Sequence, residues 1–186
     1  MGATYHLLHA GYVDEHGVAG TVSLVRDGDA IIVVDPGMVG DRERDITGPL
    51  RDLGIGLEDV THVFLTHHHP DHALNGGMFP NAAVVDFWAT YAHDQWTDHP
   101  GSGHRPSANT EVLLTPGHTA EDATLLIQTD IGIVACTHLW WRADRTPEVD
   151  PLADDQVALE ASRREVLERA DIIVPGHGAP FPAHPA

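Results

Sequence analysis

Short apolar runs alternate with polar turns along the first third of the chain, a pattern that predicts β-structure. TVSLVRDGDAIIVVDPG contains two apolar runs joined by Asp27 and Gly28, which is a typical hairpin turn. THVFLTH predicts a short buried strand over residues 63–66, and a further strand is expected at residues 83–85. Residues 86–110 are rich in Trp, His, Gly and Pro, and they are predicted to form loops.

Two stretches have the apolar spacing of helices. DRERDITGPLRDLG places three apolar residues on one side and ends at Gly54, and a short helical segment is expected after Asp71. DPLADDQVALEASRREVLERA predicts the longest helix, with Pro151 in its first turn. The predicted core face of this helix consists of Val157, Ala161, the aliphatic part of Arg164, Val166 and Leu167.

The second half of the chain repeats this alternation of strands and helices. EVLLTPGHT predicts a strand that ends in a Pro-Gly turn, and ATLLIQTDIGIVACTH predicts a hairpin that turns near residues 130–132. DIIVPGHG predicts a last strand followed by a turn. Hairpins mixed with strand–helix alternation favour an α/β protein of two mixed sheets covered by helices. With 186 residues and no repeat, residues 1–186 are expected to form a single domain.

Charge and composition restrict the partners. The formal net charge is −18, and an acidic surface repels phosphate backbones, so a small-molecule substrate is expected and nucleic acid is not. A homodimer is an open alternative. No signal peptide is recognisable, and no apolar run reaches the ~18 residues of a membrane span. The one cysteine, Cys136, cannot form an internal disulfide, which favours the cytoplasm.

Histidines are concentrated where predicted strands end. HHHPDH, residues 67–72, contains four histidines and an aspartate, and an H-x-H-x-D-H pattern is expected by chance only about 0.01 times in such a chain. His118, His138 and His177 each follow another predicted strand. Strand ends and the loops after them are common positions for functional side chains, so these residues predict one site.

The spacing of these residues suits metal ligands. Alternation along an extended chain puts His67 and His69 on one side, while Asp71 and His72 can reach a second metal. Imidazole suits Zn, Fe, Ni or Cu, and a carboxylate broadens the choice to Mn. The remaining histidines are expected at surface or loop positions: His6, His9, His16, His62, His68, His93, His99, His104 and His184.

Several motifs carry a family resemblance that covers nearly the whole chain. THHHPDH resembles the T-H-x-H-x-D-H signature of the metallo-β-lactamase superfamily, PGHT and PGHG resemble its later ligand motifs, and VVDPG resembles its early D-x-G turn. LEDVTHVFLTHHHPDHALNGGMFPNA and the tail from PEVDPLADD to PGHGAPF are similar to the group named metallo-β-lactamase domain-containing protein 1. The resemblance implies a four-layer αββα sandwich with metals at one edge of two mixed sheets.

The resemblance also implies two ligand sets. His67, His69 and His118 would bind the first metal, and Asp71, His72 and His177 the second. The family usually places a bridging aspartate between them, whereas this chain has His138, which offers one lone pair and no charge. Three arrangements stay open: His138 binds the second metal terminally, the second site is weak and the centre mononuclear, or His138 turns out and Cys136 or water replaces it.

The function implied is metal-dependent hydrolysis. A hydroxide on one or two zinc ions, with iron or manganese as alternatives, would attack a small ester, thioester, lactone or amide. Asp71 is the predicted catalytic residue because it can orient the nucleophile and carry a proton. Asp35 is predicted to accept the second N–H of a metal-bound imidazole and Thr66 to hydrogen-bond nearby backbone, with a turn-capping aspartate and an ordinary strand threonine as the alternatives. The alternatives are a phosphodiesterase or nuclease, an iron-dependent oxygenase, and a catalytically silent metal-binding relative.

The substrate-binding residues are not determined by these patterns. Aromatic and cationic side chains could line a pocket for an apolar body that carries an anionic group. Alternatively, the tryptophans only cover the edge of the core. The candidates are Trp88, Tyr91, Trp96, Trp140, Trp141, Arg105, Arg142 and Arg145.

Overall fold

Strands make up most of the regular structure in the computed structural model, which describes residues 2–144 and 146–184. The first seven strands are β1 (Thr4–His9), β2 (Tyr12–Asp14), β3 (Gly17–Ala19), β4 (Val22–Asp27), β5 (Ala30–Val34), β6 (His62–Phe64) and β7 (Ala83–Val85). The next seven are β8 (Ala89–Ala92), β9 (Gln95–Asp98), β10 (Thr110–Leu114), β11 (Ala123–Thr129), β12 (Gly132–Cys136), β13 (Ile172–Val174) and β14 (Phe181–Pro182). The α-helices are α1 (Gly48–Asp52), α2 (Pro70–Ala73) and α3 (Gln156–Arg169).

The strands form two mixed sheets and a separate hairpin. The first sheet has the strand order β1-β4-β5-β6-β7-β8-β9, and the second has the order β10-β11-β12-β13-β14. The parallel pairs are β5 with β6, β6 with β7, and β12 with β13. The hairpin of β2 and β3 stands outside both sheets.

The core between the two sheets follows from the alternation of side chains along each strand. Ile32 and Val34 of β5 point inward and pack with Leu125 and Ile127 of β11. The residue between the first two, Val33, points to the opposite face of its sheet and belongs to another cluster. Full burial of each such side chain contributes about 1.5–3 kcal/mol to folding.

Helices cover the outer face of each sheet. On the first sheet, Leu50 of α1 and Ile46 of the π-helical turn before it (Glu43–Thr47) are fully buried in one cluster with Val33. On the second sheet, Leu159 and Val166 of α3 are fully buried against strand residues. Helix, sheet, sheet and helix therefore form four layers, and the predicted αββα sandwich is confirmed.

The longest helix begins later than the sequence pattern predicts. The Asp155 carboxylate caps its N-terminus by accepting hydrogen bonds from the amides of Val157 (2.9 Å) and Ala158 (3.0 Å). Pro151 therefore lies before the helix and not in its first turn. Within the described ranges, no helix combines the length and the apolar character that crossing a membrane requires.

The predicted core face of α3 is wrong at Val157, Ala161 and Arg164, whereas Val166 is buried and Leu167 packs against the same cluster as predicted. Val157 is 77% exposed, and Ala161 and Arg164 lie in solvent. The buried positions are Leu159, Ser162 and Val166. Only this narrow stripe of the helix faces the second sheet, and it includes the hydroxyl of Ser162. Ser162 donates that hydroxyl to the carbonyl of Pro116 at 2.8 Å, which satisfies it inside the protein.

The composition predicts that residues 86–110 are all loop, and this prediction is wrong. β8 and β9 form an antiparallel hairpin there, with Tyr91 opposite Trp96. Its turn contains His93, whose φ of 55° is left-handed. β9 has no alternation of apolar and polar residues that could predict it, because every residue of this edge strand is exposed.

The topology brings the histidine-bearing strand ends together. β10 and β12 both run antiparallel to β11, so they point in one direction, and β13 runs parallel to β12. All three strands end at the same edge of the second sheet. β5 and β6 likewise run in parallel and end together in the first sheet.

Candidate metal centre

Six imidazoles and one carboxylate converge at the edge where these strands end. Neighbouring imidazole rings lie between 4.2 Å (His118 and His138) and 5.2 Å (His67 and His118) apart, centroid to centroid. The structure thus brings together every metal ligand that the sequence predicts. They are His67, His69, Asp71, His72, His118, His138 and His177.

Three groups of possible ligand atoms can be distinguished within this cluster. In each group the ligand atoms lie within 4.8 Å of one another: His67, His69 and His118; Asp71, His72 and His177; and His67, His72 and His138. The first two groups coincide with the two metal sites implied by the family resemblance. The third joins one member of each site to His138, so His138 lies between them.

His138 points into the centre. Its Nε2 lies 3.1 Å from Nε2 of His177, and the side chain is almost fully buried. Gly176 makes room for this ring, because a Cβ on that residue would come within 2.4 Å of His138 Cδ2. Cys136 belongs to the core between the sheets, so the arrangement in which His138 turns out and Cys136 replaces it does not occur.

Buried nitrogen atoms without hydrogen-bond partners show that the side chains fit a metal ion. His67 Nε2, His72 Nε2 and His138 Nδ1 are fully buried, and no hydrogen bond reaches them. Each such atom costs roughly 1–3 kcal/mol if it stays unsatisfied, and native proteins contain few of them. A divalent cation among these histidines would satisfy them and would suit both imidazole and carboxylate ligands.

Burial also keeps the ligands in the protonation state that metal binding requires. It lowers the pKa of His67 and His138 well below the usual value, and the neighbouring imidazoles lower it further. Burial likewise lowers the pKa of His118, and it lowers the pKa of His177 to about 4. These imidazoles are therefore neutral at pH 7, with a lone pair for a cation.

Asp35 makes the contact predicted for it with a ligand imidazole, whereas the Thr66 hydroxyl bonds to side chains and not to nearby backbone as predicted. The Asp35 carboxylate lies 2.9 Å from Nδ1 of His72 and accepts hydrogen bonds from the amide and hydroxyl of Thr66, both at 2.7 Å. This arrangement fixes the proton of His72 on Nδ1 and leaves Nε2 for a metal. Asp35 holds a left-handed backbone with φ of 50°, an uncommon conformation that the buried hydrogen bonds maintain.

Two further partners of the ligands were not predicted. His118 Nδ1 lies 3.7 Å from the Asp150 carboxylate, within ion-pair range but too far for a hydrogen bond. His177 Nδ1 donates to the Ala19 carbonyl at 3.0 Å. No strand-end pattern marks Asp150, which comes from the loop before α3, and a backbone carbonyl leaves no signal in a sequence.

Most of the candidate substrate residues lie elsewhere. Trp88 and Trp96 are exposed near β8 and β9, and Trp140 packs in the cluster under α3. Arg105 pairs with Glu111 in a separate surface groove, and Arg142 pairs with Asp144. Arg145 is outside the described residues. Trp141 alone among the predicted aromatic candidates lines the cavity above the ligands.

The fold and the site together define a class of metal-dependent hydrolase. Residues 17–116 match the family model of the metallo-β-lactamase superfamily. The chain belongs to this superfamily.

Two solved structures share the fold. A Thermotoga maritima protein assigned to the metallo-β-lactamases has a TM-score of 0.73 at 21% identity, covering 98% of this chain and 100% of that one. A quorum-quenching N-acyl homoserine lactone lactonase has a TM-score of 0.69 at 18% identity, covering 95% of this chain and 91% of the other.

Among named relatives, the metallo-β-lactamase domain-containing protein 1 of Xenopus laevis is 33% identical over 189 residues. The match covers 95% of this chain and 80% of that relative. The mammalian proteins of the same name are 34–35% identical, and the chain spans only 54–62% of their length.

Proposed function

We propose that the protein hydrolyses a small carboxylic acid derivative (an ester, thioester, lactone or amide) at the seven-residue centre. The observation that carries this proposal is the set of buried, unpartnered imidazole nitrogens that meet beside Asp71 under an open cavity. The similarity to an N-acyl homoserine lactone lactonase supports a carbonyl substrate.

The ligand set favours zinc. Six imidazoles and one carboxylate suit Zn²⁺, with iron or manganese as the alternatives. His67, His69 and His118 would hold one ion, Asp71, His72 and His177 a second, and His138 would contribute from between them. A bound cation supplies Lewis acidity, which polarises a carbonyl and lowers the pKa of water to about 7.

Asp71 is suited to handling the proton of the reaction. Its Oδ2 lies 3.5 Å from His72 Nε2 and 3.8 Å from His177 Nε2, and the side chain borders the cavity. In the proposed reaction, water adds to the carbonyl carbon while the Asp71 carboxylate takes its proton. The acyl bond to the leaving oxygen, sulfur or nitrogen then breaks, and the same proton passes to the leaving group.

The surrounding residues hold this geometry. Asp35 fixes His72 from the side opposite the metal, and the Ala19 carbonyl does the same for His177. Gly20 allows the chain to pass within hydrogen-bonding distance of the ligand helix, and its amide donates to the Asp71 carbonyl at 3.0 Å. Contacts from residues 19–35 therefore preorganise ligands that come from both halves of the chain.

The proposal is tested with zinc-loaded protein and a panel that contains an ester, a thioester, a lactone and a phosphodiester. Turnover of a carbonyl compound is expected, and Asp71→Asn should lower kcat by about 10²–10⁴-fold. Asp52→Asn is the matched control, since Asp52 is exposed on α1. Metal content is measured in the same samples, so that loss of the ion is distinguished from loss of proton transfer.

Three outcomes would contradict the proposal. Faster turnover of the phosphodiester than of any carbonyl compound would indicate a nuclease-type activity. Bound iron with oxygen consumption would indicate an oxygenase. Tightly bound metal without turnover of any compound would indicate a catalytically silent relative.

A further inference from the structure

The cavity above the metal ligands has a polar floor and apolar walls. Its volume is about 300 Å³, at the lower limit of small-molecule pockets. The floor consists of His69, Asp71, His118, His138 and His177. The walls consist of Val13, Val18, Trp141 and Leu152.

One wall is the β2–β3 hairpin. Val13 and Val18 are opposite each other in its ladder, so both side chains lie on the same face of the hairpin. The end of this hairpin is attached directly to the centre, because the Ala19 carbonyl accepts from His177. This hydrogen bond fixes the position of the apolar wall relative to the ligands.

The other wall comes from the loop before α3. One oxygen of Asp150 accepts a hydrogen bond from the indole of Trp141 (2.9 Å), and the other accepts from the amide of Leu152 (2.9 Å). A single buried carboxylate therefore positions both apolar side chains of this wall. Leu152 is 63% exposed and Val18 is 39% exposed, so apolar surface remains in water on both sides of the cavity mouth.

The walls of the cavity offer no cationic side chain, among the described residues, to an anionic substrate group. No lysine or arginine is among the described residues that line it, and Asp71 is their one carboxylate. The chain as a whole carries −18, so its field also repels anions. A negatively charged group placed against the apolar walls would lose its hydration without a cationic side chain to pair with.

We infer that the substrate is an uncharged carboxylic acid derivative whose compact apolar group lies between Val13 and Val18 on one side and Trp141 and Leu152 on the other. This inference rests on the proposed hydrolysis and specifies its substrate class. An uncharged substrate replaces the substrate with an anionic group that was one expectation from the sequence. Burial of the two exposed wall residues by the apolar group would favour binding, and the carbonyl would face the ligands.

The test compares two esters that differ in charge at one end. The probes are para-nitrophenyl butyrate and the para-nitrophenyl monoester of succinic acid, which share a leaving group and a similar acyl length. The zinc-loaded protein should prefer the butyrate by about 10-fold or more in kcat/KM, the range that one unsuitable group in a pocket produces.

A variant of the cavity mouth should change this preference. Leu152→Lys places a cation at an exposed position, so the folding of the protein is expected to tolerate it. It should lower kcat/KM for the butyrate and raise it for the succinate, shrinking their ratio about 10-fold. Ile131→Lys is the matched control, because Ile131 is 75% exposed in the β11–β12 turn, at the opposite end of β12 from His138.

A binding measurement separates this inference from the proposed function. Butyrohydroxamate and the monohydroxamate of succinic acid are titrated by calorimetry into the zinc-loaded protein. Tighter binding of the neutral compound without ester turnover would support the cavity while the hydrolase proposal fails. Ester turnover with equal or better use of the succinate, or an unchanged ratio in Leu152→Lys, would overturn the inference while hydrolysis stands. Failure of both hydroxamates to bind would also overturn it.

Discussion

The Nε2 atoms of His138 and His177 lie 3.1 Å apart, inside a cluster of six imidazoles. Neither ring can move away freely, because His138 is packed against Gly176 and His177 donates to the Ala19 carbonyl. A histidine in the position where this superfamily usually has an aspartate is therefore part of the centre in this chain. Its effect on metal binding can be measured directly.

His138→Ala is expected to lower the metal content. The wild-type protein should bind about two equivalents of zinc. The variant should bind about one, because it lacks the ligand that lies between the two groups. His138→Asp should retain about two, since a carboxylate can bridge two cations. Inductively coupled plasma mass spectrometry of protein dialysed against metal-free buffer measures this.

His184→Ala serves as the control for these variants, because His184 is exposed and belongs to none of the three ligand groups. Its metal content should equal that of the wild type. If His138→Ala also equals the wild type, His138 is not a ligand.

Gly176→Ala should destabilise the metal-free protein. The added methyl group would lie 2.4 Å from His138 Cδ2 and 2.8 Å from its Nε2, and such overpacking costs about 1–3 kcal/mol. Urea unfolding in the presence of a chelator measures the change in the free energy of unfolding. The double variant with His138→Ala should recover most of that loss, because the clashing ring is gone.

Gly77→Ala is the comparison for that experiment, since a Cβ on Gly77 meets no atom within 4 Å. It should leave the free energy of unfolding nearly unchanged. A double variant as unstable as Gly176→Ala alone would show that the methyl group clashes with the backbone instead of with His138.

Asp150→Ala should weaken metal binding although Asp150 is not a ligand. Its carboxylate lies 3.7 Å from His118 Nδ1, and loss of such a partner typically lowers metal affinity about 10–100-fold. Competition with a chromogenic chelator measures the affinity. Asp154→Ala, an exposed carboxylate in the same loop, should have no effect, and equal effects of the two variants would refute a specific role for Asp150.

Glu111 should make stability depend on pH in the acid range. Arg169, at the end of α3, donates to Glu111 at 2.6 Å and lowers the pKa of this carboxyl, with a smaller contribution from Arg105. Because the folded pKa is lower than the unfolded pKa, the stabilisation is complete above the unfolded value of about 4.3. It is lost as the pH falls through the folded pKa.

Glu111→Gln should therefore lower the free energy of unfolding by about 0.5–1 kcal/mol at neutral pH, and the difference from wild type should vanish in acid. Urea unfolding at a series of pH values measures it. Glu165→Gln, an exposed carboxylate on α3, provides the matched control. A difference between Glu111→Gln and wild type that stays constant with pH would contradict the assignment.

The candidate metal ligands other than His138 could be predicted because each belongs to a short local pattern. A buried strand that ends in PGH or in HxHxDH places its histidines within a few residues of the sheet edge, whatever the rest of the chain does. The apolar alternation of β4, β5, β11 and β12 likewise reflects burial of alternate residues, and it predicts the two sheets.

Other features depended on contacts between distant parts of the chain. The core face of α3 was mispredicted in part because the sheet beneath it buries Leu159 and Ser162 beside the predicted Val166, although the exposed Val157 is more apolar than Ser162. β9 was missed because an exposed edge strand is held by backbone hydrogen bonds, which leave no side-chain pattern.

The sequence by itself determined which residues are candidate metal ligands and which layers the fold contains, since both depend on local periodicity and motifs. Only the tertiary structure decided where His138 points, that Asp150 reaches His118, and which residues enclose the cavity. These relationships join segments far apart in the chain, and their geometry is set by packing of the two sheets and the loops at their shared edge.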